Sequence, residues 1–208
     1  MAESSLASGD GGFSSGIIEA TEHVVLPDTL FSGLSEVKTT QGVLAVAPVP
    51  EPVPWPSAGE TLVLLEDIQD PGNLGSIIRS TAAAGIAHVG LSAGCASAWS
   101  PKVVRAGMGA HFHVALHEGV DLGAIVGGLK IPVVATTPEA QADLYRADVS
   151  GPVAWLFGNE GNGLTEGMLE AANLRLRVPM AAASESLNVA ATVAVCLFEQ
   201  MRQRTLKT

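Results

Sequence analysis

The stretch "VAWLFGNEGNGL" (Val153–Leu164) decides how the second half of this chain folds. Its apolar run Val153–Phe157 continues unbroken until it meets a glycine. A short apolar run that ends at turn residues reads as a strand covered on both faces, the kind found in parallel sheets. Behind it, Gly158, Gly161 and Gly163 surround a single acid, Glu160. A turn needs one glycine. Three of them imply that something approaches the backbone closely.

Outward from this point the pattern repeats. Apolar strands are expected at Leu62–Leu65, His88–Leu91, Phe112–Leu116, Pro132–Ala135 and Leu174–Val178. Helical stretches fall between them at Leu74–Ala84, Pro101–Met108, Leu122–Leu129 and Leu164–Ala172. A long final helix runs from about Leu187 to Arg204. Alternating strands and helices predict an α/β domain with a mostly parallel sheet and flanking helices. Ligands of such sheets sit beyond the carboxyl ends of the strands, which is where the glycine loop stands. The final helix is apolar on nearly all sides from Leu187 to Phe198. It must be buried all round, with the core on one face and a second subunit on the other, or else wholly internal.

Composition sets limits on function. The 208 residues are 47% hydrophobic, and 21 acids against 11 bases give a net charge of −10. Such a chain does not coat nucleic acid non-specifically, although a local basic site remains open to it. Cys95 and Cys196 match no metal or redox spacing and read as free thiols of a reducing compartment. The opening "MAESSLASGDGGFSSG" has no apolar core of a secretory signal, and no apolar run is long enough for a bilayer. A soluble cytoplasmic protein without membrane contact is expected. Residues 1–22 have little to bury and are expected to be disordered. Residues 23–58 hold two β-like pieces, His23–Leu26 and Val43–Ala47, and then "PVPEPVPWP" (48–56), an extended semi-rigid linker. The domain proper covers 59–208.

Two further stretches carry chemistry. In "EDIQDPGNLGSIIRSTAAAG" (66–85), Asp70-Pro71-Gly72 is turn chemistry, Asn73 suits a helix N-cap and Gly85 suits the position after the C-cap. Ile77, Ile78, Thr81 and Ala82 can face the core. Gly75, Arg79 and Ala83 share another face. That face can bring a guanidinium close to a partner, or carry an ordinary surface arginine. In "RVPMAAASESLNVAATVAVCLFE" (177–199), Pro179 ends a strand and Ser186 or Asn188 caps the last helix. His111 and His113 are expected to share one face of a strand. Without a third ligand they read as strand histidines, and no metal is expected.

Together these stretches resemble the signature motifs of the SpoU-type RNA 2′-O-ribose methyltransferases of the SPOUT superfamily. N-x-G-x-x-x-R stands at Asn73–Arg79, G-N-E-G-x-G at Gly158–Gly163, P-M at Pro179–Met180 and S-L-N-V at Ser186–Val189. "SPKVVRAGMGAHF" (100–112) is similar to the family's middle segment, and the resemblance covers about 60–204. Ala182 stands where the family often has glycine. Residues 23–58 resemble only the tail of a small RNA-binding domain with its linker.

The resemblance implies a C-terminal trefoil knot that forms an S-adenosylmethionine pocket, and a homodimer that completes the active site. It assigns Gly158, Val178 and Leu187 to the cofactor, with Met180 and Thr136 as neighbours. It assigns Asn73, Arg79, Glu160, Ser186 and Asn188 to catalysis. Lys102 and Arg105 are the first candidates for binding RNA. The activity implied is methyl transfer to a ribose 2′-OH in structured RNA, rRNA ahead of tRNA. An arginine is too basic to take the hydroxyl proton. Arg79 is therefore expected to pin the adjacent phosphate by two contacts and orient the hydroxyl. A non-catalytic RNA-binding or ribosome-assembly factor is the rival. A nicotinamide- or nucleotide-binding enzyme is disfavoured, because no glycine fingerprint follows the first strand.

Overall fold

The structure is a computed structural model that describes residues 24–34, 42–51, 53–56, 59–181 and 186–207. The expected disorder of residues 1–22 lies outside these. The chain divides into two compact units, Met1–Pro50 and Glu51–Thr208.

In the first unit, helix α1 (Asp28–Leu34) buries Phe31. Of the expected β-like pieces, Leu26 makes only an isolated bridge, His23 lies outside the described residues, and Val43–Ala47 forms no strand. Val46 is 93% exposed, so that piece has no apolar face to bury and does not gain a sheet partner.

The second unit is built on seven strands: β1 (Leu62–Leu65), β2 (His88–Leu91), β3 (Ala115–His117), β4 (Val133–Thr136), β5 (Ala142–Asp143), β6 (Ala154–Phe157) and β7 (Leu174–Arg177). Their order is β3-β2-β1-β6-β4-β7-β5, and every pairing is parallel. The helices are α2 (Pro71–Ala83), α3 (Pro101–Gly107), α4 (Leu122–Gly128), α5 (Glu166–Ala171) and α6 (Val189–Lys207). Side chains alternate across the sheet. Val63, Leu65, Trp155 and Phe157 pack with residues of α2, α3 and α6. Leu62, Leu64, Ala154 and Leu156 pack with α4 and α5. Central strands β1 and β6 are thus covered on both sides, which is why they read as unbroken apolar runs. The two-residue strand β5 left no apolar signal.

Two local details correct the sequence reading. The N-cap of α2 is Asp70, not Asn73: its carboxylate accepts the Asn73 N–H at 2.7 Å, and Pro71 opens the helix. Proline suits that first position because its ring presets φ and no N–H is missed there. At the other end Gly85 (φ +71°) donates to the Ala82 carbonyl, and Ile86 donates to that of Thr81, which closes the helix in a Schellman turn. The second correction concerns His111 and His113. Met108 (φ +49°) and Gly109 (φ +85°) are both left-handed, and a 3-10 turn, Ala110–Phe112, follows them. The strand therefore starts only at Ala115. His111 is buried with its Nε2 bonded to the Ala98 carbonyl at 2.8 Å, whereas His113 is exposed, so they share no strand face.

The final helix is more polar at its seat than expected. Val193, Cys196 and Leu197 are buried, and so are Glu199 and Gln200. Gln200 accepts from the Trp155 indole at 2.8 Å and donates to the Gly151 carbonyl at 2.8 Å. The linker's end is docked: Trp55 meets His117 edge-on, and a Cβ at Gly90 would come within 3.0 Å of its ring. Among the described residues no helix is long and apolar enough to cross a membrane.

Candidate active site

The candidate site lies beyond the carboxyl ends of β1, β6, β4 and β7, four strands that neighbour one another in the order β1-β6-β4-β7. After β6 the chain folds into a small hairpin. Asn159 and Gly163 exchange backbone hydrogen bonds of 3.0 and 2.9 Å, and the Asn159 side chain accepts from the Gly161 and Asn162 N–H groups. This explains the first glycine. A Cβ on Gly158 would lie 2.3 Å from the Gly163 carbonyl carbon and the Leu164 nitrogen. What approaches Gly158 in this structure is the chain's own returning strand.

Glu160 sits at the hairpin tip. Its carboxylate accepts from the Gln69 N–H (3.2 Å), the Asp70 N–H (3.1 Å) and the Asn73 side-chain amide (3.1 Å). The Asn73 amide oxygen accepts in turn from the Asn188 side chain at 2.9 Å. Asn188 uses its own oxygen to cap α6 through the Ala190 and Ala191 N–H groups. One hydrogen-bonded relay therefore joins the three motifs. The amide orientations follow from it, because an ionised carboxylate can only accept. Burial alone would raise the Glu160 pKa. The donated bonds from Asn73 and the backbone outweigh that and hold the carboxyl below its ordinary 4.5.

Sequence reasoning missed the parts that support this relay. Asn159 reaches back to the Asp67 carbonyl at 2.8 Å. Asp67 itself is left-handed (φ +54°) and is held by Ser92, which donates to its carboxylate and accepts its N–H. Glu66 accepts the N–H and hydroxyl of Thr165 at 2.8 Å each and ties the end of β1 to the start of α5. Asn159 was legible as a turn former; the Asp67 and Glu66 contacts span elements and left no local signal.

Three of the residues assigned to the cofactor stand at the ends of the neighbouring strands β6, β4 and β7. Thr136 ends β4, Gly158 follows β6 and Val178 follows β7. Met180 and Leu187, in the segments before α6, are 38% and 39% exposed. Ser186 is exposed next to Leu187. Ala182 lies outside the described residues. Arg79 is not brought into the relay. It is exposed farther along α2 and makes no hydrogen bond or ion pair among the described residues. Lys102 and Arg105 are exposed on α3, which packs on α2 where a Cβ at Gly75 would lie 2.4 Å from Ala106. The small residue of that motif thus serves helix packing. Burial raises the thiol pKa of Cys95 and of Cys196, so neither is a ready thiolate. Among the described residues no group of three or more His, Cys, Asp or Glu could hold a metal ion.

Comparison with known proteins adds independent findings. The model of the SpoU rRNA Methylase family matches residues 60–198. The chain is 34% identical over 177 residues to the 23S rRNA (guanosine(2553)-2′-O)-methyltransferase RlmP of Bacillus subtilis (strain 168), covering 84% of this chain and 70% of that one. It is 37% identical over 145 residues to the uncharacterized tRNA/rRNA methyltransferase slr1673 of Synechocystis sp., covering 68% and 53%. The AdoMet-bound rRNA methyltransferase of Sinorhizobium meliloti matches with a TM-score of 0.73 at 30% identity, over 88% of this chain and 74% of that one. The chain spans about half to seven tenths of the length of these curated relatives. The matched span holds every strand of the sheet and all three motifs of the relay. This chain belongs to the SpoU rRNA methylase family.

Proposed function

We propose that the chain transfers a methyl group from S-adenosylmethionine to a ribose 2′-OH of structured RNA, rRNA ahead of tRNA. The observation that carries this reading is the Glu160–Asn73–Asn188 relay, which gathers the three matched motifs at the strand ends. The names of RlmP and of the AdoMet-bound relative point to the same reaction.

The residues present fit the cofactor. Half-exposed Met180 and Leu187, with Val178 packed on the core, give apolar walls, and Thr136 adds a hydroxyl at the end of β4. Apolar walls with a few placed polar groups are what a nucleoside-sized ligand needs. When bound, S-adenosylmethionine supplies an already electrophilic methyl, so this chain's residues have a different task. They must place the hydroxyl and let its proton leave. Glu160, kept ionised, holds Asn73, and Asn73 holds Asn188. Ser186, two residues before Asn188, is exposed and joins them in the proposed site. Arg79 clamps a substrate phosphate by two N–H contacts and orients the hydroxyl. As the hydroxyl oxygen takes the methyl, its proton leaves to a phosphate oxygen or to another acceptor.

We further infer a homodimer. Phe198 and Met201 on α6 remain 41% and 39% exposed, which suits a second subunit, while Val193 and Leu197 belong to the protomer's own core. A C-terminal trefoil knot is supported by the strand order, in which successive strands β6 and β7 flank β4. Two free cysteines suit a reducing, cytoplasmic compartment. The test is incubation of the purified chain with labelled S-adenosylmethionine and rRNA, followed by mass mapping of ribose methylation. The expected result is a 2′-O-methylated nucleotide, lost in Asn73→Ala. RNA binding with no methyl transfer would instead establish the non-catalytic reading.

A further inference from the structure

Between Asp70 and Glu118 the chain carries no acid at all, although it holds 21 elsewhere. That interval contains Arg79, Lys102 and Arg105 and four of the five histidines. It folds into α2, β2, α3, the 3-10 turn and β3, which form one flank of the sheet. A strongly acidic protein thus builds this flank from a stretch without acids, and the carboxylates that reach it, Glu60 at His88, Asp67 at Ser92 and Glu118 at the Ala98 N–H, do not bond to Arg79, Lys102 or Arg105. Arg79, Lys102 and Arg105 form no ion pair there among the described residues.

On this flank an open groove of about 510 Å³ is lined by Arg79, Ala82, Ala83, Met108, Phe112 and His113. Its volume is in the range of pockets that take small organic ligands. Phe112 is 87% exposed and Met108 is 70% exposed, in a chain only 4% aromatic. Phe112 has no ring partner among the described residues. The backbone that presents them is unusual, since Met108 adopts a left-handed φ of +49° that bulky residues rarely hold.

We propose that this groove is a nucleotide platform, in which an unpaired base of the RNA substrate stacks on Phe112 and packs against Met108 while its phosphate is held by Arg79. Lys102 and Arg105, on the helix that leads into Met108, continue the cationic track along the RNA backbone. The proposal rests on the reading of RNA as substrate and adds where a base is held. It also accounts for the position of Arg79 outside the Glu160 relay, on the side that meets the polyanion. Charge argues against a second copy as the occupant. A two-fold axis passing through this patch would set its cations against the same cations of the other copy.

The test uses the full chain, single-stranded oligoribonucleotides and the same oligomers made abasic. Phe112→Ala is expected to weaken binding of the intact oligomer about tenfold or more. It should leave the abasic oligomer, the salt slope, S-adenosylmethionine affinity and sedimentation unchanged. Arg79→Ala and Lys102→Ala should each flatten the salt slope by roughly one phosphate contact. In Phe112→Trp, binding should persist and the added indole should be quenched by the oligomer. Equal binding by wild type and Phe112→Ala overturns the platform while leaving the methyltransferase reading intact. A shift of oligomeric state in Phe112→Ala with RNA affinity unchanged assigns the groove to a second copy and also overturns it. A wild-type chain that binds no RNA removes both.

Discussion

Glu160 shows how much one exposed carboxylate can organise. It accepts from two backbone N–H groups and one side-chain amide, so it must be ionised to fill its role. Its pKa is depressed by those bonds. A depressed carboxyl contributes stability that is complete above the ordinary value of 4.5 and is lost as pH falls through the lower folded value. Glu160→Gln turns one acceptor edge into a donor facing N–H groups. The variant should be less stable than wild type by about 1 kcal/mol at neutral pH. Melting curves from pH 7 to acid should show that difference vanish below the carboxylate range. A difference that does not change with pH would count against the ionised relay. Arg79→Lys keeps the charge but loses the planar two-point contact. Activity should fall on the order of a hundredfold, with S-adenosylmethionine affinity by calorimetry unchanged. Lost cofactor affinity would move α2 into the cofactor site.

At the level of elements, the hairpin after β6 and the seat of α6 are the sensitive joints. Gly158→Ala places a methyl 2.3 Å from backbone atoms that cannot swing aside as a side chain would. The hairpin must shift, at a cost of about 1–3 kcal/mol, and Glu160 shifts with it. Thermal melting together with methylation rate checks this: both should drop, and a variant as stable as wild type would show the hairpin to be loose. Gln200→Leu removes the partner of the buried Trp155 indole and of the Gly151 carbonyl. Unsatisfied buried groups cost about 1–3 kcal/mol, so chemical denaturation should show a loss of that size despite the added apolar surface. A more stable variant would mean that packing, not this polar seat, anchors the helix.

For the whole molecule, the outer face of α6 is the place to test assembly. Phe198→Asp combined with Met201→Asp should sediment as a folded monomer, because both side chains already face outward. Leu197→Asp, by contrast, buries a charge and should unfold the protomer. A double variant that stays dimeric would place the interface elsewhere. How far each feature was legible depends on its range along the chain. The sequence by itself determined the α/β plan of a mostly parallel sheet with flanking helices, since doubly covered strands such as Leu62–Leu65 must be apolar throughout and helices between them must repeat at their own period. It also singled out, through the motif matches, Asn73, Glu160 and Asn188, which the fold joins in one relay. Only the tertiary structure decided what those residues do to each other. Asn73 meets Glu160 across 87 positions and Asn188 across 115, and no local periodicity encodes a partner at that distance. The same holds for Gly158, whose absent side chain makes room for the chain's own return, and for the turn at Met108 and Gly109, which delays a strand that its apolar residues had announced too early. Local chemistry specifies conformation and burial, whereas a contact between distant segments exists only once the sheet has stacked them, because folding, not spacing, brings their polar groups within hydrogen-bond reach.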